Sequence, residues 1–195
     1  MNDPVILRAS LENIQSHQDD PIVYRNYLRL HQIDQTTVRD FAGALVVRNI
    51  VDCGGNRFEF ARPSDDQFPA IVCEAFGSDG ETVIDLVAWP LDRPKHVMTM
   101  FGRCGLLGAW EAMNPATYYL DAPLLLHRTP LEWMQAGCRG AVVVVPHVAA
   151  RMILDLPGKV AVRDADHGRQ IEAIRQSVLP PNQVLVPVSR KGLVA

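Results

Sequence analysis

The chain has 195 residues, of which 48% are apolar and 21% charged, and its formal net charge is −3. That length supports a real core without disulfide or metal staples, and the composition excludes wholesale disorder. The slight acidic excess removes any global attraction to nucleic acid, and no run of about 18 apolar residues offers a membrane span. Cys53, Cys73, Cys104 and Cys138 are scattered without a close ligand pair, which argues against structural zinc. The opening residues, MNDPVILRASLENIQ, lack the basic start and apolar centre of a secretion signal. The expected setting is the cytoplasm, with four reduced thiols.

Residues 1–35 read as a helical N-terminal arm, and 36–195 as a single α/β domain. Pro4 to His17 suits one helix. Asp19-Asp20-Pro21 then starts a second, with acids favouring the dipole and proline in the first turn, and Tyr24, Tyr27, Leu28 and His31 follow at helical spacing. Such an aromatic stripe belongs to a core or to an interface. Val38, Phe41, Ala42, Leu45 and Ile50 continue at roughly helical period until Gly54-Gly55. ALVVRNIV is nevertheless β-branched enough for a strand to compete.

From Arg57 the period changes to two. Phe58 and Phe60 alternate with charged neighbours, as in a half-buried strand. AIVCEAF, the turn Gly77-Ser78-Asp79-Gly80 and ETVIDLVAW then form the clearest hairpin in the chain. Ser78 is a turn residue there, since GSDG does not fit a nucleophile elbow. Asp85, inside the second strand, is expected to alternate outward, because an unpaired buried charge is expensive. Gly102, Gly105 and Gly108 do not match phosphate-loop spacing and read as a turn into a short helix ended by Asn114-Pro115.

The stretch from Asp121 to Gln170 holds the strongest signals. Leu124 to Leu126 is a short apolar strand, and Thr129-Pro130 caps a helix that closes at Gly137. AVVVV, from 141 to 145, lacks alternation and suits a strand covered on both faces. Pro146 opens a helix whose stripe is Val148, Ala149, Met152, Ile153 and Leu156, and Lys159 to Arg163 forms the next strand. The fold class expected is therefore α/β or α+β: a mixed sheet with an antiparallel hairpin, a C-terminal strand–helix–strand unit and a helical N-terminal arm. The tail carries VLVPV, where Pro187 confines any strand to an edge or an interface.

Polar groups at the carboxyl ends of strands in such a sheet line the default binding crevice. Here these are His147 after one strand, and Asp164, Asp166 and His167 after the other. His127, His147 and His167 are candidate acid/base groups, because imidazole titrates near neutrality. Arg128 is a candidate for a phosphate or carboxylate, though Glu132 one turn on competes for it. The segment KVAVRDADHGRQIEAI, residues 159–174, resembles the strand–DxD–glycine–helix segment of toprim domains of bacterial primases and topoisomerases. That resemblance implies divalent metal, Mg2+ or Mn2+, held by Asp164 and Asp166 for phosphoryl transfer. Those domains also carry a glutamate at the end of an earlier apolar strand, whereas GAVVVV ends in Pro146. Without any metal, Asp164 serves as a helix N-cap and Asp166 as a first-turn acid.

The function expected from these residues is a non-catalytic binding or assembly module that self-associates through its apolar terminal segments. The alternative is a metal-dependent enzyme acting on phosphate esters or nucleic acid. Nucleic acid, through Arg128, Arg139, Arg151 and Arg163, and a small phosphorylated ligand are the candidate partners. No membrane partner is expected.

Overall fold

In the computed structural model, residues 7, 8, 10–12, 21–34, 36, 38 and 45–178 are described. The VLVPV tail and most of the first expected helix lie outside those residues. The fold is mixed helix and sheet, organised as a small β-barrel joined to a four-stranded sheet with helices. Among the described residues no helix is long and apolar enough to cross a membrane.

The barrel is built from β1 (Leu45–Gly54), β2 (Arg57–Phe60), β3 (Phe68–Phe76), β4 (Val83–Pro90) and β5 (Met98–Thr99). Its strands close in the order β1-β2-β5-β4-β3, all neighbours antiparallel except β2 and β5. The predicted hairpin is β3–β4, and its turn is held by Asp79, which accepts bonds from the amides of Glu81 and Thr82. The stretch read first as helical is a strand from Leu45 onward. Its β-branched residues pack well on a pleated surface, and β1 gains a partner on each side, β2 and β3.

Alternation along the strands divides the barrel residues between two cores. Val46, Ile50, Phe58, Ala70, Val72, Leu86, Ala88 and Met98 fill the interior. Val47, Ile71, Cys73, Val87 and Trp89 point the other way, into a second core shared with the rest of the molecule. That second core receives Tyr24, Tyr27 and Leu28 from α1 (Pro21–Leu30). The Tyr27 hydroxyl also accepts a 3.1 Å bond from the indole Nε1–H of fully buried Trp89. The aromatic stripe of the N-terminal segment is thus core.

The strand-like centre of β4 is covered on both faces, which leaves Asp85 no solvent side to turn to. It points inward and is fully buried, contrary to the expectation from alternation. Its Oδ1 accepts bonds from the amides of Leu86 (2.8 Å) and Phe101 (2.8 Å), and its Oδ2 from those of Arg103 (2.6 Å) and Cys104 (3.1 Å). Four N–H donors replace the water that a carboxylate loses on burial. Three of the four belong to the segment that leaves the barrel for the second sheet, so Asp85 pins the joint between the two.

The sheet has the order β6-β8-β7-β9, from β6 (Leu106–Leu107), β7 (Leu124–His127), β8 (Ala141–Val143) and β9 (Val160–Val162). β7 lies parallel to β8 on one side and to β9 on the other, while β6 pairs antiparallel to β8. The short α2 (Ala109–Met113) and a 3-10 segment (Pro115–Asp121) lead into β7. Then α3 (Pro130–Gln135) connects β7 to β8, α4 (Pro146–Leu154) connects β8 to β9, and α5 (Ala165–Gln176) follows. Leu106, Leu124, Leu126, Ala141, Ala149, Ile153 and Ile171 form the core between the sheet and α4 and α5. On the opposite face Leu107, Val142 and Val144 meet the barrel.

The cysteine thiols fit this packing. Cys73, Cys104 and Cys138 are buried and free, and Cys53 is exposed. Burial pushes the Cys138 thiol up to about 12, and it pushes Cys73 and Cys104 up as well, with Asp85 adding to the shift of Cys104. Neutral thiols of this kind are core residues and poor nucleophiles.

Candidate functional site

Parallel pairing brings the carboxyl ends of β7 and β9 side by side, so residues 36 apart in sequence meet. The result is a cleft of about 520 Å³ lined by Lys95, His127, Arg128, Thr129, Glu132, Arg163, Asp164, His167 and Gln170, with Val143, Ile171 and Ile174 as its apolar part. This is the crevice that an open α/β sheet provides at its strand ends. Its lining holds three fixed cations, Lys95, Arg128 and Arg163, against two carboxylates, Glu132 and Asp164.

The charges are cross-braced. An Nη2 of Arg128, at the end of β7, reaches Asp164 Oδ1 at 2.6 Å and stands 3.9 Å from Asp166 Oδ2. Arg163, at the end of β9, returns to Glu132 Oε1 on α3 at 3.3 Å. Glu132 also accepts the backbone amide of Arg128 at 3.0 Å, and its own amide donates to the Thr129 hydroxyl that caps α3. The expected competition for Arg128 is therefore split: its guanidinium goes to Asp164 and its backbone to Glu132.

Asp164 is the N-cap of α5, with Oδ1 accepting from the amides of Asp166 (3.1 Å) and His167 (2.9 Å). These amides, above all that of His167, and the guanidinium of Arg128 hold its carboxyl below the usual range. Asp166 sits in the first helical turn and pairs with Arg169 at 3.0 Å. The strand beside β9 is β7, and it ends in His127-Arg128, so a cation stands opposite the DAD segment. Among the described residues, no group of three or more His, Cys, Asp and Glu side chains is placed to hold a metal ion.

The three histidines do not converge. His127 and His167 line the same cleft, whereas His147 is exposed and lines a separate cavity of about 330 Å³ with Asn56, Arg57, Thr99 and Gly102. The two openings share no lining residue: Val143 lines the first, and Val144 and Val145, which follow β8, line the second. His127 is buried, and its Nε2–H donates to the carbonyl of Arg139 at 2.8 Å, which fixes ring orientation and places a proton on Nε2. The His167 ring is also buried, in the first turn of α5. Burial first, and then the charge of Arg128, push its pKa below the ordinary imidazole value. Arg139 and Arg151 do not line the cleft, so the four arginines considered for nucleic acid form no common patch there.

Lys95 and Gln170 complete the polar lining without having stood out in the sequence, while Glu132 entered there only as a competitor for Arg128 and Arg163 only as a nucleic-acid contact. Lys95 comes from the β4–β5 connection, 32 positions before His127, and no local pattern links the two. Arg163 and Gln170 follow from the strand and helix phases that place Asp164 and His167. Compared with known proteins, the chain matches no family model, no curated protein and no solved structure.

Proposed function

We propose that the chain is a non-catalytic binding module whose strand-end cleft takes a small anionic, phosphorylated ligand. One observation carries this: an open cleft brings Lys95, Arg128 and Arg163 together from three separate elements, with net positive lining in a chain of net negative charge. Bidentate arginine and point-charge lysine are the donors that phosphate recognition uses. The volume, about 520 Å³, falls in the range that suits a small molecule. A metal-dependent phosphoryl-transfer role is less well supported. The guanidinium of Arg128 stands between Asp164 and Asp166, where a divalent ion would need their carboxylates, and a glutamate does not end the adjacent strand.

Isothermal titration with inorganic phosphate and with Mg2+ separates the two roles. Phosphate is expected to bind in the absence of metal. Arg128→Ala should weaken it by about tenfold or more, since losing one charge-assisted hydrogen bond costs about 1.5–3 kcal/mol and leaves Asp164 facing the anion. Binding of Mg2+ that disappears in Asp164→Asn, with no phosphate binding in its absence, would reverse the assignment.

A further inference from the structure

A site for a bare anion would do better without carboxylates, yet the lining holds two, Glu132 and Asp164. Asp164 is accounted for as the cap of α5 and the partner of Arg128. Glu132 is different. Its side chain lines the cleft and keeps 27% of its surface exposed. Each of its oxygens takes one bond among the described residues, Oε2 from the Arg128 amide and Oε1 from the Arg163 guanidinium. A carboxylate offers about four lone-pair positions, so acceptor capacity remains on both oxygens. Gln170, exposed on the second turn of α5, adds to the lining an amide that both donates and accepts.

We propose that the cleft takes the phosphate monoester of a polyol, a sugar phosphate, with Glu132 and Gln170 reading its hydroxyl groups. The proposal rests on the anion-binding role given above and adds the organic part of the ligand. Hydroxyls are the donors that fit. An ammonium group would also satisfy Glu132, but it would enter beside Lys95, Arg128 and Arg163, and their like charges repel it. A neutral O–H brings a donor without that repulsion, and its bond to a charged acceptor is roughly twice as strong as one to a neutral acceptor.

The space agrees with this. A cleft of about 520 Å³ exceeds what one phosphate group fills and leaves room for a ring of pentose or hexose size. Val143, Ile171 and Ile174 are aliphatic side chains that suit the C–H face of such a ring. Among the described residues the lining holds no aromatic ring on which a nucleobase could stack. No bond of the ligand is made or broken.

The test is calorimetric titration of the unmodified protein with ribose 5-phosphate, n-pentyl phosphate, phosphoethanolamine and inorganic phosphate, at fixed pH and ionic strength. Ribose 5-phosphate should bind about tenfold or more tighter than n-pentyl phosphate, which lacks free hydroxyls, a gain expected from two net hydrogen bonds. Glu132→Gln should then move two ligands in opposite directions. Ribose 5-phosphate should weaken about fivefold, whereas inorganic phosphate should tighten about twofold or more, because a repelling charge has gone. A carboxylate that only braces the arginines would weaken both together. Gln170→Ala, at an exposed helix position, should weaken ribose 5-phosphate about threefold and inorganic phosphate by less than about twofold. Three results overturn the proposal and leave the anion site standing: n-pentyl phosphate binding as tightly as ribose 5-phosphate, phosphoethanolamine binding tighter than it, or equal weakening of both ligands in Glu132→Gln. No binding of inorganic phosphate or of any of the esters overturns both.

Discussion

Asp85→Asn is expected to destabilise the protein by about 3 kcal/mol or more, seen as a drop in the urea or thermal midpoint. Each carboxylate oxygen takes two amides, Leu86 and Phe101 on Oδ1 and Arg103 and Cys104 on Oδ2. Whichever way the asparagine side chain turns, its NH2 group faces two N–H donors that it cannot satisfy. Asp85→Ala should be at least as damaging, since it strands four amides in a dry interior. The effect should also be directional. Barrel strands β3 and β4 keep their ladder, whereas the segment from Phe101 to Cys104 loses its anchor, so the near-ultraviolet signal of Trp133 at the sheet side should change first. A midpoint within about 1 kcal/mol of the parent would show that the joint is held by something other than this carboxylate.

Gly140→Ala is the second large loss, on the order of 3 kcal/mol, to be measured in the same denaturation experiment. Gly140 has φ +82°, a conformation that costs an L-residue about 1–2 kcal/mol by itself. Its added Cβ would also run into the carbonyl oxygen of Leu125 on the neighbouring strand, which is backbone and cannot swing aside. The same residue gives its N–H to Glu111 Oε2 at 3.0 Å and its carbonyl to the Trp133 indole at 3.2 Å. Pushing β8 away from β7 there would move Arg139 as well, the residue whose carbonyl orients His127. The variant should therefore weaken phosphate binding beyond what its loss of stability explains. Unchanged affinity in the folded fraction would separate the glycine from the cleft.

The hairpin β3–β4, the caps at Thr129 and Asp164, and the strand–helix–strand run from Ala141 to Val162 were legible because their signals are local. A turn between β-rich runs, a hydroxyl or carboxylate three residues before a helical amide and a proline in the first turn each act over a few positions. Leu45 to Ile50 was ambiguous because apolar residues there satisfy a helical period and a β-branched one together, and only pairing with β2 and β3 decides. Asp85 was misplaced for a related reason. Alternation assumes one wet face, and β4 has none. Of the site, the sequence carried His127, Arg128, Asp164 and His167 as strand-end residues, but their meeting depends on strand order. That β9 joins β7 rather than β8, and so puts Arg128 against Asp164 and leaves His147 elsewhere, is a property of the assembled sheet. Lys95 was invisible for the same reason, since its place is set by how the barrel docks.

The barrel does not close with equal strength all round. β3 and β4 pair from Ala70 to Phe76, but β2 meets β5 through a single aligned pair, Arg57 and Thr99, with the Thr99 amide donating to Asn56 at 3.0 Å and the Arg57 Nε to Met100 at 3.0 Å. Native-state opening begins where the fewest bonds must break, so amide exchange at Thr99 should run ahead of exchange at Val72 or Val87. Asn56, Arg57 and Thr99 also line the cavity that holds His147. The seam of the barrel is thus one wall of that cavity, and Val144, Val145, Pro146 and His147 from the sheet side are the other, so opening of the seam should change the cavity's shape.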